Sequence, residues 1–240
     1  MNESSLWRES DTMRILAVDT SAVCAAVAVT DGEKVLSESQ TNTGLTHSRT
    51  LMPMIDSTLK NAEIPLESID MLACSVGPGS FTGIRIGVAA IKGLCDGTKK
   101  KCIPVSTLEA LAYNLLGRSC TAVSVMDARC NQVYCAIFRV DGDSITRLTE
   151  DEAIKIEELK ERLPQYENVV FVGDGAKICH NALGYSIAPP ALMYQKGSSI
   201  ALCALRNYDE AKALDGAELL PVYLRLPQAE RELKAKQGLK

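Results

Sequence analysis

Residues 14–19 form an apolar, strand-like run that ends in Asp19. An alternating run follows at 23–29, then an Asp31-Gly32 pair, then a third run at 34–39. A period of two marks strands with one buried face, and Asp-Gly between two such runs marks a hairpin. The plan returns in the second half. Residues 121–127 form a run ending in Asp127, 132–140 alternate, Asp141-Gly142 turns, and 144–148 continue. From Asp to turn glycine the spacing is 13 positions in the first copy and 15 in the second, so the pair reads as one unit used twice. Helices and strands follow each copy. Leu51, Met52, Ile55 and Leu59 share one face of a helix over 48–62. Ser106-Thr107-Leu108-Glu109 has the form of a capping box opening a helix over 107–116. Further on, the pattern predicts helices over 156–163 and 198–214, and a strand over 168–172 ending in Gly173-Asp174-Gly175. It closes with a short extended piece at 221–225 and a terminal helix over 227–237. Three antiparallel strands, then alternating helices and strands, done twice, predict a duplicated α/β fold with mixed sheets flanked by helices. The expected organisation is an N-terminal extension at 1–12, subdomains at 13–117 and 118–226, and a helical tail at 227–240.

The run from Gly77 to Leu94 carries the densest chemical signal. It follows a strand-like stretch at 70–76 and opens into a helix. Gly77, Gly79 and Gly83 permit positive φ and close approach of another backbone. A strand, a glycine turn and a helix N-terminus can bind an anion, because free N–H groups point outward there. The P-loop pattern fails, since no Lys-Ser/Thr pair follows, and GPGSFTG is not the dinucleotide pattern either. A tight turn without a ligand is the alternative, with Ser80 simply part of the loop. The helix over 83–94 is apolar nearly all round: Gly83, Gly87, Ala90, Ile91 and Leu94 form one stripe, Ile84, Val88 and Ile91 the next. Its charges are Arg85 and Lys92. So wide an apolar surface is buried on more than one face. One face packs on its own sheet; the glycine stripe suits a second helix, with Met52 and Met54 nearby as adaptable contacts. The alternative is that both helices are core.

Composition narrows the picture. The chain has 240 residues, 46% of them apolar, enough for a substantial core. Its net charge of −4 lacks the basic footprint of a free-standing nucleic-acid binder. Its nine cysteines have no C-x-x-C spacing, which argues for a reducing compartment rather than a disulfide framework. The apolar stretch at 15–29 is interrupted by Asp19 and is too short for a membrane span. A cytoplasmic location is expected. The histidines are His47, at a helix start, and His180, read as structural. Arg231, Lys234, Lys236 and Lys240 make the tail basic, as a solvated helix end would be.

GPGSFTGIRIG, with LAVDTSA at 16–22, HSRTLMPMID at 47–56, MDARCNQVY at 126–134 and PVYLR at 221–225, resembles the bacterial TsaB (YeaZ) family. The resemblance runs from about Met13 to the C-terminus, with the segments in family order. It implies an actin-like (ASKHA, ribonuclease H-like) fold, as the internal repeat suggests independently. It implies a non-catalytic partner of TsaD in threonylcarbamoyl transfer to the adenosine beside the tRNA anticodon. A TsaE-type P-loop ATPase would associate, a homodimer would form in isolation, and tRNA would be met only through the complex. ATP and metal would belong to the partner subunits. In this family the first two helices form the self-pairing and TsaD-pairing surface. That makes Leu51, Met52, Ile55, Gly83, Ile84, Gly87 and Ile91 the candidate interface.

Site chemistry separates this reading from an actin-like ATPase or kinase and from a metallopeptidase. Actin-like nucleotide sites use D-x-G-[ST] turns. Here the turns are Asp19-Thr20-Ser21-Ala22 and Asp127-Ala128-Arg129-Cys130, without the glycine. Asp19 and Asp127 then either hold a metal across the cleft or close turns by bonding backbone amides, the latter being favoured. TsaD carries H-x-x-x-H on a helix after the glycine loop; the matching positions are Thr107 and Leu111. Leucine cannot ligate a metal, so no catalytic or metal-binding residue is assigned, and nucleotide binding is left open. The chain departs from the family at Arg49, Cys130 and Gln132, where Glu, Arg and Glu are usual.

Overall fold

The computed structural model describes residues 13–225. The expected N-terminal extension, the terminal helix and the basic tail residues lie outside the described residues. The first half opens with β1 (Arg14–Asp19), β2 (Ala25–Asp31) and β3 (Lys34–Thr41), followed by α1 (His47–Ala62), β4 (Met71–Gly77), α2 (Phe81–Thr98), β5 (Cys102–Ser106) and α3 (Thr107–Tyr113). The second half has β6 (Arg118–Asp127), β7 (Gln132–Gly142), β8 (Ser144–Arg147), β9 (Glu152–Lys155), α4 (Ile156–Arg162), β10 (Val169–Val172), α5 (Ala176–Leu183), β11 (Ser186–Ile187) and α6 (Gly197–Arg206).

The strand orders are β3-β2-β1-β4-β5 and β8-β7-β6-β10-β11. Position by position these are the same sheet, antiparallel across the opening hairpins and parallel beyond them. The repeat read from the two Asp-Gly hairpins is therefore a repeat of topology. Gly32 and Gly142 both take the positive φ that such turns require. β9 is an addition, pairing with β7 in the second sheet.

Alternation along β1 serves two buried faces. Leu16 and Val18 pack with Leu51, Ile55, Ile84, Val88 and Ile91 of α1 and α2. Ile15 and Ala17 pack with Ile200, Ala201 and Ala204 of α6. The sequence boundary at 117/118 falls between the sheets, yet α3 and α6 cross it. α3 sends Leu108, Leu111 and Ala112 into the core of the second sheet, while α6, late in the chain, covers the first. Hydrogen bonds fasten this exchange: Ser199 Oγ donates to Asn114 Oδ1 at 2.6 Å. Arg147 pairs with Glu109 at 2.9 Å and with Asp151 at 2.6 Å.

Some expectations need correction. The helix predicted over 198–214 stops at Arg206. Leu214 instead exchanges backbone hydrogen bonds with Cys102, at 2.9 and 2.8 Å, on the edge of the first sheet. The helix predicted over 107–116 ends as α3 at Tyr113, with turns beyond it. Its capping box is half formed. Ser106 Oγ accepts from the Glu109 amide at 3.2 Å, but the Glu109 carboxylate turns to Arg147 and Asn207.

Candidate functional site

A cleft of about 770 Å³ lies between the two halves. It gathers residues from all the motifs quoted above: Ser21 and Ala22, His47 and Ser48, Pro78 to Gly83, Met126 to Arg129, and Val222 to Arg225. Segments scattered over the chain thus converge on one place.

The floor is the glycine loop after β4. Ser80 is the N-cap of α2, its Oγ accepting from the Gly83 amide at 3.2 Å. The Ser80 amide donates to the Ser21 carbonyl at 2.6 Å. A Cβ at Gly79 would overlap that same carbonyl, and one at Gly83 would overlap the Thr20 carbonyl. Thr20 Oγ1 donates to the Gly83 carbonyl at 2.8 Å. The loop's glycines therefore let the turn after β1 lie against the start of α2. Their geometry is accounted for by the chain's own backbone.

The two aspartates close turns. Asp19 Oδ1 accepts from the Ser21 amide and hydroxyl, each at 2.7 Å. Asp127 Oδ1 accepts from the Arg129 amide at 2.7 Å. Asp127 lines the cleft, whereas Asp19 is buried behind it. Burial pushes the Asp19 carboxyl up to about 6, against the pull of its bonds to Ser21. Asp174, which accepts from the Asp127 amide at 3.2 Å, is also pushed up to about 6, chiefly by burial and further by the Asp127 charge. Asp174 has no counterpart among the sequence candidates; its signal in the sequence is the Gly-Asp-Gly after β10, which matches the Gly-Pro-Gly at the end of β4. His47 is the first residue of α1, its Nε2 2.6 Å from the Ala22 carbonyl. It ties the helix start to the turn after β1. His180 Nδ1 lies 2.7 Å from the Tyr185 carbonyl at the end of α5.

Thr107 and Leu111, the positions that the resemblance matches to histidines, are both buried. Leu111 sits in the apolar core of the second sheet. Among the described residues no group of three or more His, Cys, Asp or Glu is placed to hold a metal. No helix among them is long and apolar enough to cross a membrane. All nine cysteines are free.

The candidate interface residues fall mostly inside the chain. Leu51, Ile55, Ile84 and Ile91 are core, and Gly83 and Gly87 are buried. A Cβ at Gly87 would lie 2.5 Å from Thr20 Oγ1. The close-approach stripe of α2 thus meets the chain's own β1 turn, not a partner helix. Met52 is the exception, 47% exposed. The outward face of α2 carries Ile86, Ala89, Gly93 and Gly97, with open space around both glycines. Beside it, Met52, Leu59, Ile64, Leu66 and Leu94 line a largely apolar groove of about 490 Å³. Both stripes read from periodicity centre on buried residues, and the outward face of α2 belongs to neither.

The family described as TsaD, tRNA N6-adenosine threonylcarbamoyltransferase, matches residues 35–230. A protein of Escherichia coli named tRNA threonylcarbamoyladenosine biosynthesis protein TsaB is 30% identical, over 94% of this chain and all of that one. The chain belongs to the TsaB family. A Bacillus subtilis protein of the same name is also 30% identical, over 91% of this chain and 96% of its own length. The solved structure of YeaZ from Pseudomonas aeruginosa superposes with a TM-score of 0.76 at 21% identity, covering 88% of this chain and all of that one. The two chains therefore share one fold, and in this chain that fold is built from two sheets of matching strand order.

Proposed function

We propose that this TsaB-family chain is a non-catalytic partner of a TsaD-type paralog, required for threonylcarbamoyl transfer to the adenosine beside the tRNA anticodon. Family membership supports a place in tRNA threonylcarbamoyladenosine biosynthesis. The observation that carries the non-catalytic part is the state of the site. The positions aligned with TsaD's histidines are a buried threonine and a core leucine, and the glycine loop is engaged by the chain's own Ser21 and Thr20 carbonyls. ATP and metal act on the partner subunits, a TsaE-type P-loop ATPase joins them, and tRNA is met only through the complex, in the cytoplasm.

The docking face is the outward side of α1 and α2, with Met52, Ile86, Ala89, Gly93 and Leu94. In isolation a second copy takes the same face, because a two-fold contact uses one patch twice. The decisive experiment is co-purification with the paralog, and mass spectrometry of tRNA modified with and without this chain. A stable complex, with at least a tenfold loss of modified adenosine when this chain is left out, is expected. Steady ATP turnover by the pure chain, abolished by Asp19→Asn or Asp127→Asn, would overturn the reading.

A further inference from the structure

The segment after α6 takes an unusual route. Leu219 is buried in the core of the first half. The chain then crosses the cleft mouth. The Val222 amide donates to the Val76 carbonyl at 2.8 Å. The Val222 carbonyl lies where a Cβ on Gly77 would be, so only glycine admits this path. The Tyr223 ring stacks on Phe81 with centroids 4.5 Å apart, and its hydroxyl accepts from Arg85 Nε at 2.9 Å. The Arg85 guanidinium in turn lies 3.8 Å from the centre of the Phe81 ring. On the far side, Arg225 Nη1 donates to the Ala128 carbonyl at 2.5 Å. Ala128 begins the turn between β6 and β7, in the other half.

We propose that Leu220–Arg225 is a strap that ties the two halves across the cleft mouth, that Arg225 is its latch, and that release of the latch opens the cleft. The strap is built for release. Its anchors beyond Leu219 are a few hydrogen bonds and one aromatic stack, while Leu220 and Val222 are 66% and 46% exposed. Such a segment opens at low free energy compared with the sheets it joins. Arg225 is a positioning residue here: it acts on the cleft through the Ala128 turn.

The test uses the full chain and reads both ends of the strap. Hydrogen exchange is followed in the peptides covering 126–132 and 220–225, with β1 and β4 as controls. Hydroxyl-radical oxidation of Met126, which lines the cleft and is buried, reports access. Arg225→Ala should speed exchange at least tenfold in both peptides and raise Met126 oxidation at least threefold, with the controls unchanged. Arg225→Lys, which keeps a donor for the carbonyl, should stay within threefold of wild type. Tyr223→Ala frees the strap on its other side and should reproduce the Arg225→Ala pattern. Should Arg225→Ala also expose β1 and β4, the tyrosine variant decides. Faster exchange at 220–225 alone, or Met126 oxidised as in wild type, overturns the proposal.

Discussion

At the end of β1 the Asp19 carboxylate accepts from the amide two residues on at 2.7 Å; at the end of β6 the Asp127 carboxylate does the same, also at 2.7 Å. β4 ends into Gly77-Pro78-Gly79, and β10 is followed by Gly173-Asp174-Gly175, with the first glycine at φ 127° and 108°. From these equal starts the halves diverge. In the first, the helices run to 16 and 18 residues, and the turn after β1 is sealed against the glycine loop. In the second they are 7 and 8 residues long. There the turn stays at the surface, with Arg129, Cys130 and Asn131 all at positive φ. The difference teaches that one duplicated plan can be elaborated separately. The first half is extended into a broad helical face, and the second keeps a compact sheet that receives α3 and the strap.

The sharpest way to break this comparison is to put the same methyl group in both halves. A Cβ at Gly173 would overlap the Val125 carbonyl of β6, a central strand that cannot give way. A Cβ at Gly77 would overlap the Val222 carbonyl of the strap, which can. Gly173→Ala should therefore cost about 3 kcal/mol and Gly77→Ala about 1 kcal/mol. Urea midpoints at constant m-value measure both. Equal costs would mean that the strap is as rigid as β6.

Next in size is a pH effect. Asp19 and Asp174 are both pushed up to about 6 in the folded chain, from the ordinary value of 3.8. The folded state then binds more protons than the unfolded state between those values. The contribution of each group to stability is thus largest at low pH, and falls as pH rises from about 4 through 6. Asp19 is fully buried, so Asp19→Asn should gain on wild type by about 2–3 kcal/mol between pH 4 and pH 8. Asp127→Asn should lower the Asp174 value, by removing a neighbouring charge, and leave Asp19 where it is. Carboxyl NMR titrations separate the two. Movement of Asp19 in that variant would show the halves to be electrostatically joined through the cleft.

What could be read from the sequence follows from range. The hairpins, the repeat and the glycine loop rest on neighbours a few residues apart, and Asp31-Gly32 and Asp141-Gly142 announced them. The exchange of α3 and α6 rests on contacts such as Asn114 with Ser199, which no local pattern encodes. The same holds for Arg225 and Ala128: nothing near PVYLR in the sequence points to the turn that Arg225 meets. The pattern puts Gly83 and Gly87 on one stripe of α2 suited to a second helix, and in the fold that stripe lies against Thr20. A periodicity fixes angles around a helix axis and leaves open what stands opposite each face.

The smallest expected effect bears on what remains unexplained by the fold. α2 holds Gly83, Gly87, Gly93 and Gly97, whereas α5, its counterpart, holds none. Thr20 accounts for the inward pair. Gly93 and Gly97 have open space where a side chain would go. Gly93 lies well inside the helix, where glycine costs about 0.5–1 kcal/mol relative to alanine. Gly93→Ala should therefore stabilise the isolated chain by roughly that amount, while Gly87→Ala, meeting Thr20 Oγ1, should destabilise it. If the outward face receives a partner helix, that glycine is kept for close approach. The stabilising change should then weaken pairing with the paralog, and Gly93→Trp should weaken it further. Chemical denaturation at a concentration where the chain is monomeric gives the first sign, and titration calorimetry with the paralog gives the second. Opposite signs from one substitution place the interface on this face. A gain in both would free Gly93 from any role in assembly and send the search to the second half.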